Sequence, residues 1–276
     1  MTDQHPTIAV ALTHLGLVEA GGADAATFLQ GQLSNDIRAL APARAQLSSY
    51  NSAKGRMLAV LHVLPHDDGF LLELQRSLLE TVLKRLKMYV LRSKVTLAEA
   101  ERTVFGLAGP DAASVLADIG VPAPIAPLDC AWHGDLCVMR RIGEVPRYTL
   151  LAPGAHGAEL WPRIARRARA GSLDDWKRSE IEAGVPTVYP QTQDRFVAQM
   201  CNLDALGGIS FDKGCYTGQE IIARVHYRGA VKRHMTQQRL DGPPPAPGTK
   251  LDSGEVVDAV ADPRGGSIAL LVSAPA

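Results

Sequence analysis

The run Lys213-Gly214-Cys215-Tyr216-Thr217-Gly218-Gln219-Glu220 places an ammonium, a thiol and a carboxylate just ahead of the apolar residues Ile221 and Ile222. A cysteine at the start of a helix feels the positive end of the helix dipole, and a lysine two residues away adds to it; both favour thiolate over thiol. Cys215 is therefore the candidate reactive group and Lys213 its electrostatic partner. Thr217 and Glu220 have the spacing of a capping box, and Gly214 and Gly218 leave room for a ligand near the backbone. A cysteine hydrolase would also need a histidine base and an oxyanion hole. The nearest histidine, His226, lies beyond the helix start and no signature pairs it with Cys215. Arg224, His226, Arg228, Lys232, Arg233 and His234 form a basic run with no acid between Ile221 and Leu240. Such a run suits an anionic ligand tail or RNA, and equally a solvated face.

The remaining pattern supplies the scaffold. Asp24 to Leu33 carries Ala25, Phe28 and Leu29 at helical spacing, and Leu78 to Val90 repeats the pattern with Lys84, Arg85 and Lys87 outside it. Gln46 to Tyr50, Met57 to Leu64 and Phe70 to Leu74 read as strands, the last two joined through His66-Asp67-Asp68-Gly69 with positive φ expected at the glycine. Strands follow at Val95 to Leu97, Val104 to Leu107, Leu136 to Arg140 and Tyr148 to Leu151, and helices at Glu159 to Arg169 and Leu173 to Ala183. Little periodicity marks Val185 to Phe211. A proline-rich spacer at Pro243 to Pro247 leads to short strands at Val256 to Val260 and Ile268 to Val272. Strands and helices mix without regular βαβ alternation, and neither a dinucleotide nor a P-loop fingerprint occurs, so the expected class is α+β.

Composition narrows the function. Of 276 residues, 46% are hydrophobic and 21% charged, and Lys plus Arg equals Asp plus Glu at 29 each. A chain this long and apolar divides into two or three domains, and its neutrality gives no global field for coating nucleic acid or an anionic membrane. Apolar stretches are too short to cross a bilayer and Met1 to Leu17 lacks a signal-peptide pattern, so a cytoplasmic protein is expected. Cys130, Cys137 and Cys201 read as buried hydrophobes. Without a Cys-x-x-Cys pair, no metal site is expected.

The stretch Asn202 to Asp212 leading into Lys213 to Glu220 resembles the YgfZ family of folate-binding proteins, of the glycine cleavage T protein superfamily. The likeness extends to Phe28 to Leu33, Ala53-Lys54-Gly55-Arg56, Leu86 to Val90, Ser93 to Thr96 and Glu182-Ala183-Gly184-Val185-Pro186. It implies mixed αβ domains around a central channel that binds tetrahydrofolate, with a small C-terminal β-barrel-like domain. It also implies a role in iron–sulfur cluster assembly or repair in partner proteins, with a link to tRNA modification. Residues 1–50 and 155–235 would then form the folate-binding core, 51–154 an inserted α+β domain, and 236–276 the C-terminal β domain. Trp176 matches a tryptophan near the folate and Glu182 the superfamily's pterin-facing glutamate. Gln32 and Asn35 are carried over as channel-facing polar groups, while Lys54, where the chain departs from the T protein pattern, could meet the glutamate tail of folate or simply stand on a surface hairpin. Tyr216, Gln219, Arg224 and Arg228 complete the candidate cofactor-binding set.

The chain departs from that pattern in three places. The T protein needs an aspartate in the early hairpin, yet Leu47 to His66 contains no acid. Leu15 stands where relatives often carry a channel tryptophan, and the C-terminal β unit is short. The leading expectation is a tetrahydrofolate-binding accessory factor with Cys215 as its working thiol. A tetrahydrofolate-dependent aminomethyl- or methyltransferase drawing its acid from elsewhere is the alternative, and a tRNA-binding module acting through the basic run is the weakest reading.

Overall fold

The computed structural model describes residues 7–229 and 231–274. In chain order the elements are β1 (Ile8–Ala11), β2 (Leu15–Gly21), α1 (Ala25–Gln32), β3 (Gln46–Asn51), β4 (Met57–His66), β5 (Gly69–Gln75), α2 (Arg76–Met88), β6 (Thr96–Glu99), β7 (Arg102–Ala108) and α3 (Ala112–Asp118). Then follow β8 (Cys130–His133), β9 (Leu136–Arg140), β10 (Arg147–Pro153), α4 (Gly154–Ala165), β11 (Arg169–Ala170), α5 (Leu173–Glu182), α6 (Gln219–Arg228), β12 (His234–Leu240), β13 (Lys250–Leu251), β14 (Gly254–Ala261) and β15 (Ser267–Ser273).

Three sheets organise them. One is five-stranded, β3-β4-β5-β2-β6; one is six-stranded, β11-β1-β7-β10-β9-β8; the C-terminal one is four-stranded and open, β12-β15-β14-β13. Almost every pairing is antiparallel, the short β1–β11 contact excepted, as an α+β chain requires. Strand pairing crosses the division expected at residues 50 and 51. Gln46 to Asn51 pair with Val63 to Met57 in one hairpin, so both sides of that boundary share a sheet. The two N-terminal strands also separate: β1 joins the six-stranded sheet and β2 the five-stranded one.

Period-two alternation places the core. Leu61, Val63, Leu72 and Leu74 pack on one face of the five-stranded sheet with Phe28, Leu29, Leu79 and Val82 from α1 and α2. Leu17, Leu64 and Leu71 point the other way, where they meet Val104, Met139 and Leu151 of the six-stranded sheet. The far face of that sheet carries Phe105, Leu107, Val138 and Leu150 against Val115 and Leu116 of α3 and Leu160 and Ile164 of α4. Both large sheets are thus buried on two faces, which is why β4 and β5 read as nearly continuous apolar runs.

Two local expectations are corrected. In the β4–β5 turn positive φ falls on Asp67 at 47°, not on Gly69; Gly69 is needed because a Cβ there would lie 2.3 Å from the Ala20 carbonyl oxygen. The helix expected at Glu159 to Arg169 starts earlier, at Gly154, and ends at Ala165. Gly157 lets it lie close to β7, since a Cβ there would already be 3.1 Å from Thr103 Cβ.

Candidate functional site

α5 lies where the sheets converge. Ser172 caps it, accepting from the Asp175 amide at 3.1 Å while Asp175 accepts from the Ser172 amide at 2.9 Å. It buries Trp176, Glu180 and Ile181. The Trp176 ring is 1% exposed and lies against β7 at Gly106, where a Cβ would come within 2.6 Å of it. Beside α5 is a cavity of about 230 Å³. All three sheets line it: His62 and Glu73 from the five-stranded sheet, Arg141 just after β9, Asp258 from β14, with Trp176, Lys177 and Glu180 from α5.

Its polar wall begins as a cross-strand pair. The β4–β5 register sets His62 opposite Glu73, and their side chains meet at 3.3 Å. Arg141 donates to Glu73 and, at 3.0 Å, to Glu180; Arg147 reaches the same Glu180 oxygen at 3.0 Å. Two buried guanidiniums thus face two buried carboxylates. Burial alone would raise the Glu73 carboxyl, but Arg141 and His62 overcome that and hold it at about 2. Glu180 is likewise held below the usual carboxylate range by Arg141 and Arg147, against the effect of burial. Burial, reinforced by Arg141, lowers His62 and keeps its ring neutral at pH 7.

Another part of the lining has a different character. Asp258 is buried, with Lys177 Nζ at 2.6 Å and the Tyr189 hydroxyl donating to it at 2.9 Å. Desolvation outweighs both partners and raises its pKa above the ordinary carboxylate value. Three further atoms on the lining residues have no partner among the described residues: Glu73 Oε2, Gln75 Oε1 and His14 Nδ1. Unpaired buried polar atoms cost stability, so three of them on residues that line one cavity are an argument for a polar ligand.

Of the residues anticipated from sequence, Trp176 lines this cavity and Glu182 does not. Glu182 stands two residues from Glu180, about 200° around the helix. It is exposed and faces a larger cavity of about 490 Å³ on the other side of α5, with Arg147, Arg178 and Glu144. Asn35 pins a loop, its Nδ2 donating to the Leu47 and Gly207 carbonyls at 2.8 Å each. Gln32 is partly buried at the end of α1, and its Oε1 has no partner among the described residues.

The cysteine motif forms a separate site. Lys213 Nζ donates to the carbonyls of Gln30, Leu33 and Asn35 at 2.8, 2.6 and 2.8 Å. All three ammonium protons are occupied, so Lys213 clamps the C-terminal end of α1 instead of donating to Cys215. Burial depresses its pKa to about 8. Its ammonium also lies 4.9 Å from the centre of the Tyr216 ring, which is buried and has its hydroxyl pushed up to about 12 by desolvation. Cys215 itself is exposed. The capping box expected at Thr217 and Glu220 is absent, because the helix starts one residue later: Gly218 is the N-cap, at φ 82°, and Gln219 the first helical residue. A Cβ on Gly218 would lie 2.4 Å from the Ser52 carbonyl and 2.8 Å from Gly55 Cα. The 52–55 hairpin tip that carries Lys54 therefore packs directly against the cysteine motif. Arg224 and Arg228 are exposed on α6.

His62, Glu73, Arg141, Arg147, Lys177, Tyr189 and Asp258 were not anticipated. One signal was available: the polar residues His62 and Glu73 interrupt two apolar strands, and the short turn at residues 67–68 sets the two opposite each other.

Three sheets with α5 wedged between them define a protein of the glycine cleavage T protein fold. The structure matches the glycine cleavage system aminomethyltransferase T from Bartonella henselae with a TM-score of 0.83, covering 98% of this chain and 79% of that one at 17% sequence identity. No protein-family model matches the chain. Proteins named tRNA-modifying protein YgfZ from Yersinia enterocolitica and Sodalis glossinidius are each 35% identical over 231 residues, 83% of this chain and 70% of theirs. The same identity and coverage hold for the one from Yersinia pseudotuberculosis. The chain belongs to the YgfZ family. Among the described residues no helix is long and apolar enough to cross a membrane, and no three metal-ligating side chains converge.

Proposed function

We propose that this chain binds a tetrahydrofolate derivative in the cavity between its three sheets. In this reading it serves as an accessory factor in iron–sulfur cluster assembly or repair, and through that in tRNA modification, with Cys215 as its working thiol. The observation that carries the reading is that three residues lining the same cavity as Trp176 bear partnerless polar atoms. A reduced pterin is a flat ring with an amino and N3 donor edge, and Glu73 Oε2 and Gln75 Oε1 are free acceptors beside an aromatic wall. Ligand sites usually enclose roughly 300–1,000 Å³. A cavity of about 230 Å³ holds the ring and leaves the glutamate tail to run outward. The tRNA-related names of the 35%-identical relatives support the cellular role. Complementation of a deletion strain tests it: the native chain should restore iron–sulfur enzyme activity and Cys215→Ala should not. A Cys215→Ala chain that restores it would remove the thiol from the account.

One observation favours a second reading, a folate-dependent aminomethyl- or methyltransferase. The acid missing from Leu47 to His66 has a counterpart in Asp258, a buried carboxyl in the cavity lining held by Lys177 and the Tyr189 hydroxyl. Formation of methylene-folate from an amine donor, lost in Asp258→Asn, would establish that reading.

A further inference from the structure

The helix after the cysteine motif leaves one face uncovered. Arg224, Tyr227 and Arg228 stand at positions i, i+3 and i+4 of α6, all exposed. Tyr227 is 64% exposed, a large aromatic left in water. The ring is nonetheless held in place. Phe211 and His226 stack at 3.7 Å with 11° between their planes, and Tyr227 sets its edge against His226 at 4.7 Å and 80°. Two braced rings thus support a third whose outer side is open.

The surroundings are cationic. Ile221 to Leu240 contains no acid, and Lys232 is exposed beyond the helix. Arg224, Arg228 and Lys232 make no ion pair among the described residues, whereas Arg233 is drawn back to the Val272 carbonyl at 2.9 Å. Asp212 beside Phe211 and Glu220 in the first turn of α6 are the nearest acids in sequence. A merely solvated basic face has no use for a buttressed, exposed tyrosine, and an apolar protein partner would seek more than one ring. Cations that reach phosphates, together with a ring that offers its face to a base, are what a single-stranded nucleic acid requires.

We propose that the α6 face formed by Arg224, Tyr227 and Arg228 is a binding surface for single-stranded RNA, with a base stacked on Tyr227 and phosphates held by the arginines and Lys232. This rests on the tRNA-related part of the proposed function and is independent of the folate cavity and of Cys215.

The test is binding of a fluorescein-labelled oligouridine to the full chain across a salt series, against a duplex RNA of equal length. Three phosphate contacts on a single strand predict a slope of log K against log salt of about −2. Arg224→Ala combined with Arg228→Ala should flatten it to about −0.7. Tyr227→Ala should weaken single-strand binding roughly 5- to 150-fold with the slope unchanged, and Tyr227→Phe should restore it. Duplex binding should be weaker and insensitive to Tyr227→Ala. Because Tyr227 is exposed, unfolding midpoints equal to the native one will show that the variants are folded. Failure of the folded native chain to bind the oligonucleotide at low salt would overturn the proposal. So would Tyr227→Ala binding as the native chain does, or losses equal for single strand and duplex. None of these outcomes bears on folate binding, which is read separately.

Discussion

The Arg141 guanidinium and the Glu180 carboxylate meet at 3.0 Å, both buried, and tie the six-stranded sheet to α5 in the wall of the central cavity. Arg141 also holds Glu73, so one side chain from one sheet fixes a helix and a second sheet. Removing a single partner from a buried ion pair leaves an uncompensated charge, which typically costs about 3–5 kcal/mol. Arg141→Met should therefore lower the unfolding free energy by about that amount, measured by urea denaturation at pH 7. A loss below about 1 kcal/mol would show that the carboxylates are paired by other means.

The same network predicts a pH dependence. Glu73 has its pKa lowered to about 2 from 4.5. Its contribution to stability is complete above 4.5 and is lost as pH falls toward 2, because the unfolded chain takes up the proton first. The stability difference between the native chain and Glu73→Gln should shrink steadily between pH 5 and pH 2. A difference that stays constant across that range would contradict the assignment.

Much of the fold was legible in the sequence because it rests on periodicity. α1, α2, α5 and strands β3 to β5 fall within a few residues of the expected bounds, since each buries a regular apolar stripe. Sheet membership was not legible: that β1 and β2 part company within Leu12 to His14 is decided by long-range pairing. The site divided in the same way. The Cys215 motif and Trp176 could be named from residues and resemblance, whereas Asp258 comes from the C-terminal sheet and meets Lys177 only in three dimensions. Glu182, named by resemblance, lines the cavity of about 490 Å³ on one side of α5, and Glu180, two residues earlier, lines the one of about 230 Å³.

Lys213 gives a prediction of the same pH sense at the alkaline end of the range. With a folded pKa of about 8 against 10.5 unfolded, the folded chain gives up this proton earlier, so its stability relative to Lys213→Met should rise between pH 8 and pH 10.5. At neutral pH Lys213→Met should still be destabilised, because three carbonyls at the end of α1 lose their donor; each unsatisfied buried group costs about 1–3 kcal/mol. Equal pH profiles for the two chains would show that the ammonium is not buried as described.

Cys215 is exposed, while Cys130, Cys137 and Cys201 are buried. Titration of the native chain with a thiol reagent should give a single fast equivalent, lost in Cys215→Ala, and the remaining thiols should react only on unfolding. Burial also raises the Cys201 thiol pKa, which slows it further. A second fast equivalent in the folded chain would contradict the structure.

Gly218 and Gly55 press together at the hairpin tip. Gly218→Ala puts a Cβ 2.4 Å from the Ser52 carbonyl at φ 82°. It should destabilise the chain by about 1 kcal/mol or more and change the reactivity of the Cys215 thiol, followed in the same titration. A neutral effect on both would separate the hairpin from the motif.

The central claim is that the cavity between the sheets holds the folate, and calorimetric titration with tetrahydrofolate tests it most directly. The native chain should bind, Glu73→Gln and Gln75→Leu should bind at least tenfold more weakly, and Gln75→Leu should be no less stable than native because it removes an unpaired buried acceptor. Glu182→Ala, on the far side of α5, should bind as the native chain does. Binding that survives both cavity substitutions and is lost in Glu182→Ala, or a folded native chain that does not bind, would contradict the account.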